Sequence, residues 1–143
     1  MAKPDPALLN PARFPFSCAI ETRFADLDVN RHLNNVSLTG MVEEARVRFH
    51  RASGFIDGRG GLAAMVASLG IEFLGQAFYP APVTVHAGAA RLGRTSYTLD
   101  VLLTQEGRTV VFAQSVMVAM APQGPAELPA AVRAAMQEWM LKP

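Results

Sequence analysis

Residues 36–54, VSLTGMVEEARVRFHRASG, decide the fold class. Leu38, Met41, Val42, Ala45, Phe49 and Ala52 recur at three- and four-residue spacing, the stripe of an amphipathic helix. Glu44 and Arg48 stand at i, i+4 in the favourable order on the opposite side. Gly54 ends the pattern, and DGRGG at 57–61 reads as a loop. Downstream the period changes. Four strand-like runs follow at 62–75, 82–93, 94–105 and 108–120, separated by Tyr79-Pro80-Ala81-Pro82, Leu92-Gly93-Arg94 and Glu106-Gly107. Turns this short imply antiparallel neighbours, because parallel strands need a longer crossover. The last run is apolar on both faces, as a covered inner strand should be. Pro129 then opens a short helix with Val132, Ala135, Met136 and Trp139 on one stripe.

Upstream, FSCAIETRF (16–24) places Phe16, Cys18, Ile20, Thr22 and Phe24 on one face and predicts a half-buried strand. Residues 1–15, with prolines at 4, 6, 11 and 15, predict an extended arm on the surface. The element order is strand, long helix, four strands, short helix. One long helix against a five-stranded antiparallel sheet is an α+β layer arrangement, in one domain over 16–143.

Composition narrows the function classes. The chain has 143 residues, enough to bury a core without disulfides or a structural metal. Thirteen Lys+Arg against twelve Asp+Glu leave a net charge of +1, without the basic stripe that nucleic-acid binding needs. The single cysteine, Cys18, suits a reducing cytoplasm. No signal peptide and no membrane span is expected.

Between the first strand and the helix lies ADLDVNRHLNN (25–35), where two aspartates, three asparagines and a histidine crowd eleven positions. Three readings compete. Asp26, Asp28 and Asn30 match the first ligands of a calcium loop, but Arg31 replaces the required glycine and Ser37 the closing glutamate. His32, His50 and His86 are too far apart in sequence to suggest zinc. GRGGLA (58–63) follows a helix instead of a strand, the wrong context for a dinucleotide fingerprint. A capping loop needs one or two such residues, with Asn35 or Ser37 at the helix entry and Asn34 in a turn. A carboxylate before a helix N-terminus, where unpaired N–H groups favour a developing oxyanion, suits acyl transfer or hydrolysis.

The stretch TRFADLDVNRHLNNVSLTGMVEEAR (22–46) resembles the signature of hot-dog-fold acyl-CoA thioesterases of the 4-hydroxybenzoyl-CoA thioesterase type. DLDVNRHLNNV (26–36) is closer still to plant acyl-ACP thioesterases of that fold. IEFLGQAFYPAPVTVHAGAARLGRTSYTLDVLL (71–103) and LPAAVRAAM (128–136) extend the similarity. The resemblance implies a helix wrapped by a curved antiparallel sheet, a homodimer or homotetramer with sites between subunits, and no cofactor. By position it implies Asp28 as the catalytic carboxylate, Asn30 and His32 as groups that polarise the thioester or place water, and Asn35 as a polar site residue. Asp26 would hold the loop, and Glu43, Glu44 and Arg46 would form structural ion pairs. Arg91, Arg94, Thr95 and Ser96 would meet the CoA moiety. Two positions depart from the pattern: Arg31 stands for its glycine and Leu38 for an aromatic residue. The expected substrate is acyl-CoA, with acyl-ACP hydrolysis or a non-catalytic acyl-CoA sensor as alternatives.

Overall fold

A computed structural model describes residues 3–143. The helical stripe forms α1, Asn35–Ala52, and buries Leu38, Met41, Val42, Ala45 and Phe49. Its cap is Asn34, whose Oδ1 accepts the N–H of Ser37 at 2.7 Å, and not Asn35 or Ser37. Asn34 has the extended backbone of a capping residue, with Ser37 three places on in the helix. Glu44 pairs with Arg48 and Glu43 with Arg46. A single turn, α2 (Phe55–Gly58), follows Gly54, which adopts a left-handed φ of 82°.

Five strands, β1 (Phe16–Ile20), β2 (Ala63–Phe73), β3 (Val83–Leu92), β4 (Ser96–Gln105) and β5 (Arg108–Ala121), lie in the order β1-β3-β4-β5-β2. All pair antiparallel, and a two-residue β6 (Gly124–Pro125) adds to β5. α3 (Ala130–Glu138) completes the core with Val132 and Met136; Pro129 is its cap and not its first residue. β1 stops at Ile20, earlier than the alternation suggested, and Phe24 is 76% exposed on a 3-10 turn.

One connection differs from the sequence reading. β2 and β3 form no hairpin, because β2 is an edge strand on β5 and β3 lies between β1 and β4. Residues 74–82 cross the end of the sheet instead. Leu74 and Gly75 both donate to Val110 O, at 2.8 and 3.1 Å. Gly75 allows that approach: a Cβ there would lie 2.5 Å from the Thr109 carbonyl oxygen.

The inner face of β3 and β4, including Val83, Val85, Leu99, Val101 and Leu103, packs under α1. The outer face has a smaller cluster of Phe14, Leu102 and Phe112, with Leu8, Leu9 and Leu141 against it. The described part of the N-terminal arm is therefore not extended. It makes two 3-10 turns, Pro6–Leu9 and Pro11–Arg13, capped by Asp5 and Asn10. Arg13 ties it to the other terminus: its Nε donates to Lys142 O at 2.8 Å, and Lys142 N–H donates to Arg13 O at 2.7 Å. No helix is long and apolar enough to cross a membrane among the described residues.

Candidate active site

The polar stretch folds into a loop built around one buried carboxylate. Asp26 is 2% exposed. Its carboxylate accepts from Arg23 N–H at 2.9 Å, Arg23 Nη2 at 2.8 Å and Ser37 Oγ at 3.0 Å. Its carbonyl accepts from Asn34 N–H and Asn34 Nδ2, both at 2.8 Å. Burial pushes the Asp26 carboxyl up, but the bonds from Arg23 and Ser37 outweigh it and hold the group below the usual carboxylate range. Asp26 thus joins the end of β1 to the start of α1.

Asp28 stands two residues on, exposed. Its Oδ1 accepts the N–H groups of Asn30 at 2.8 Å and His32 at 3.1 Å. Its N–H donates to His32 O at 2.9 Å, and its carbonyl accepts from Arg31 N–H at 3.0 Å. The turn puts Arg31 in the left-handed region, φ 61°, at the position where the resemblance expects glycine. Phe24, Leu27, Asp28, Val29 and Arg31 line an open cleft of about 460 Å³.

Asn30 and His32 share this turn, and Asn35 is the exposed first residue of α1. Of the amides from 33 to 38, those of Leu33, Asn34, Ser37 and Leu38 donate to Ala77 O, Asp26 O, Asn34 Oδ1 and Asn34 O. Those of Asn35 and Val36, at the first two helical positions, have no partner within the helix. Val36 lines one cleft with Asp26 and Ser37, and Asp28 another; an exposed carboxylate at a cleft can attack a carbonyl carbon or activate a water beside it.

The crossover makes the second wall, which the sequence reading did not identify. The His32 ring meets Phe78 edge-to-face with centroids 5.2 Å apart, and Tyr79 meets Phe24 at 6.1 Å. The Arg108 guanidinium also packs on Phe78, 5.5 Å from the ring centroid. Gln105, 1% exposed, holds the crossover backbone through bonds to Phe78 and Ala81. A glutamine ending a strand run carries no signal of that role in sequence.

Arg91, Arg94, Thr95 and Ser96 lie elsewhere. They span the end of β3, its turn and the start of β4, where Gly93 N–H donates to Ser96 O at 2.7 Å and Arg133 Nη2 donates to Gly93 O at 2.8 Å. Ser96 and Gln105 are the two ends of β4, about 25–30 Å apart at strand rise. A single chain does not bring these four residues to Asp28. Near their end of α1, His50 and Tyr97 share a buried hydrogen bond. Burial, with Arg46 nearby, lowers the His50 pKa to about 4. No cluster of three metal-binding side chains occurs among the described residues.

A curved antiparallel sheet around one long helix is the hot-dog fold. The model of the thioesterase-like superfamily matches residues 22–139, and the chain belongs to that superfamily. Among solved structures it is similar to a thioesterase from Thermus thermophilus complexed with coenzyme A and zinc. That pair shares 27% identity over 89% of this chain and 95% of the other, with a TM-score of 0.78. A predicted thioesterase from Bacillus stearothermophilus shares 23% identity over 90% and 98%, with a TM-score of 0.80. A 1,4-dihydroxy-2-naphthoyl-CoA thioesterase from Synechocystis shares 18% over 86% and 96%, with a TM-score of 0.75. No curated protein matches the chain in sequence.

Proposed function

We propose that this protein is a cytoplasmic acyl-thioester hydrolase that cleaves acyl-CoA to the free acid and CoA, with Asp28 as base or nucleophile. The observation that carries this reading is Asp28 itself. Its carboxylate is pinned through Oδ1 to two backbone amides and lines an open cleft, in the loop that leads into α1. Both bonds leave Oδ2 for chemistry. It attacks the thioester carbon, or takes a proton from a water that attacks it. The carbonyl oxygen becomes an oxyanion. The carbon–sulfur bond then breaks and the thiolate leaves. On the nucleophilic route, water hydrolyses the resulting anhydride. Asn30 and His32 orient the thioester or the water.

The CoA end is best supplied by a second copy. β2 is eleven residues long, pairs on one side only, and exposes Met65, Val66, Leu69 and Phe73. Such an edge is a template for another strand. Its Met65 end lies level with Ser96, through Val118, and its Phe73 end level with Leu103, through Val111. Two β2 strands paired antiparallel about a two-fold axis set the Asp28 end of one subunit beside the 91–96 connection of its partner. In that arrangement Arg91, Arg94, Thr95 and Ser96 meet the phosphates and pantetheine of CoA.

Release of free thiol from a panel of acyl-CoA and acyl-ACP substrates tests the reading, with Asp28→Asn as control. The variant keeps Oδ1 and the turn while removing charge and proton acceptor. A fall in kcat of about 10²–10⁴-fold with an unchanged melting temperature is expected. No turnover by the wild type, with acyl-CoA still bound, would make the protein a sensor instead. A folded variant within tenfold of wild type would remove Asp28 from the mechanism.

A further inference from the structure

We propose that Arg31 selects an acidic acyl group: a thioester whose acyl chain ends in a carboxylate a few bonds from the thioester carbon. This rests on the hydrolase reading and deepens it. Arg31 holds a left-handed φ of 61°, a conformation that side chains other than Asn, Asp and His rarely adopt. Glycine would fit the turn without strain, so local folding gives no reason for arginine there. Nor does the side chain support the fold. It is exposed and makes no ion pair or side-chain hydrogen bond among the described residues. Asp28, which shares its turn, spends Oδ1 on the backbone and does not take the guanidinium.

Arg31 and Asp28 nonetheless line the same cleft, with Phe24, Leu27 and Val29 between and around them. The Arg31 N–H to Asp28 O bond makes them the two ends of one turn, so their Cα atoms are less than about 7 Å apart. A planar guanidinium with unused donors is matched by a carboxylate or a phosphate, held through two parallel bonds. The pantetheine arm decides between them. With the thioester carbon at Asp28, the first phosphate lies at the far end of that arm, which is longer than this turn and an arginine side chain together. The anion within reach of Arg31 therefore belongs to the acyl side. The apolar walls take the short methylene chain between the two ends.

The test compares hexanoyl-CoA with 5-carboxypentanoyl-CoA, equal in length and differing in the terminal group. Wild type, Arg31→Gly and Arg31→Lys are assayed for kcat/KM on both, at low and high salt. Glycine relieves the strained turn, so this variant folds at least as well. The wild type should favour the carboxylated substrate at least tenfold. Arg31→Gly should abolish that ratio mainly through KM, Arg31→Lys should keep part of it, and salt should compress it. An unchanged ratio in Arg31→Gly overturns the proposal. So does an equal loss on both substrates, which would make Arg31 a carbonyl-polarising group. If the wild type hydrolyses neither, the hydrolase reading falls, and calorimetric titration with the two non-cleavable thioether analogues decides the role of Arg31. Tighter binding of the carboxylated analogue that vanishes in Arg31→Gly retains it; equal binding refutes it.

Discussion

Gln105 grips Phe78 by both ends of its backbone. Its Nε2 donates to Phe78 O at 2.7 Å while its Oε1 accepts Phe78 N–H at 2.8 Å, and Nε2 also donates to Ala81 O at 2.9 Å. A side chain at the end of β4 thereby does for the crossover what a neighbouring strand does in a ladder. The Phe78 ring is fixed against His32, so the buried amide is coupled to the wall of the candidate site.

Gln105→Leu keeps the volume and removes all three bonds. Stability should fall by about 2–4 kcal/mol, since the carbonyl and N–H of Phe78 lose their partner, while Ala81 O keeps the Thr22 hydroxyl. Urea denaturation reads the loss, and amide exchange at Phe78 should accelerate more than exchange in the middle of β3. A variant as stable as wild type would show that water replaces the grip.

The two aspartates of the loop should separate cleanly. Asp26→Ala removes the buried acceptor of Arg23 and Ser37 and should cost roughly 2–3 kcal/mol. Asp28→Asn retains its acceptor oxygen and should change stability by less than about 1 kcal/mol. Thermal melts of the two variants side by side check the contrast.

Arg31→Gly should stabilise the fold by about 1 kcal/mol, the cost of a side chain in the left-handed region. The melting temperature reads this directly, and it is independent of substrate. An Ala substitution, which keeps a Cβ, should not give the gain.

His50 predicts an acid-side loss. Its pKa is lowered to about 4 in the fold against an ordinary 6.5. The unfolded chain therefore binds the extra proton first, and stability falls as the pH drops through the window from 6.5 to 4. By pH 5 the loss should reach about 2 kcal/mol. His86, lowered by burial, adds to it, while Asp100, raised by burial, opposes it. The decisive quantity is thus the difference between wild type and His50→Gln, whose pH slope should be shallower.

Leu69→Lys places a charge in the exposed edge of β2. Sedimentation should show a dimer in the wild type and a monomer in the variant, with thioester hydrolysis lost alongside. A wild-type monomer that retains activity would refute the shared site.

Much of this molecule was readable one segment at a time. Periodicity in 36–54 marked α1 because burying one face of a helix demands apolar residues at fixed spacing. The Glu106-Gly107 turn marked the β4–β5 hairpin because its two left-handed residues, φ 50° and 78°, match the twist of paired strands. The concentration of polar residues at 25–35 marked the loop before α1. Distinguishing Asp26, buried and bonded, from Asp28, exposed at a cleft, needed the fold, since both carry the same chemistry in sequence. So did the place of β2. Two strands joined by a Pro-rich link look like a hairpin, yet β5 offered β2 a ladder running from Ala63 to Phe73 across a long stretch of chain. Tertiary structure also set the 91–96 connection at the far end of β4 from Asp28, because strand length, and not residue type, fixes that distance. Local spacing determines which elements form; which strand edges meet, and what stands behind a given side chain, depends on long-range pairing and burial that no short window contains.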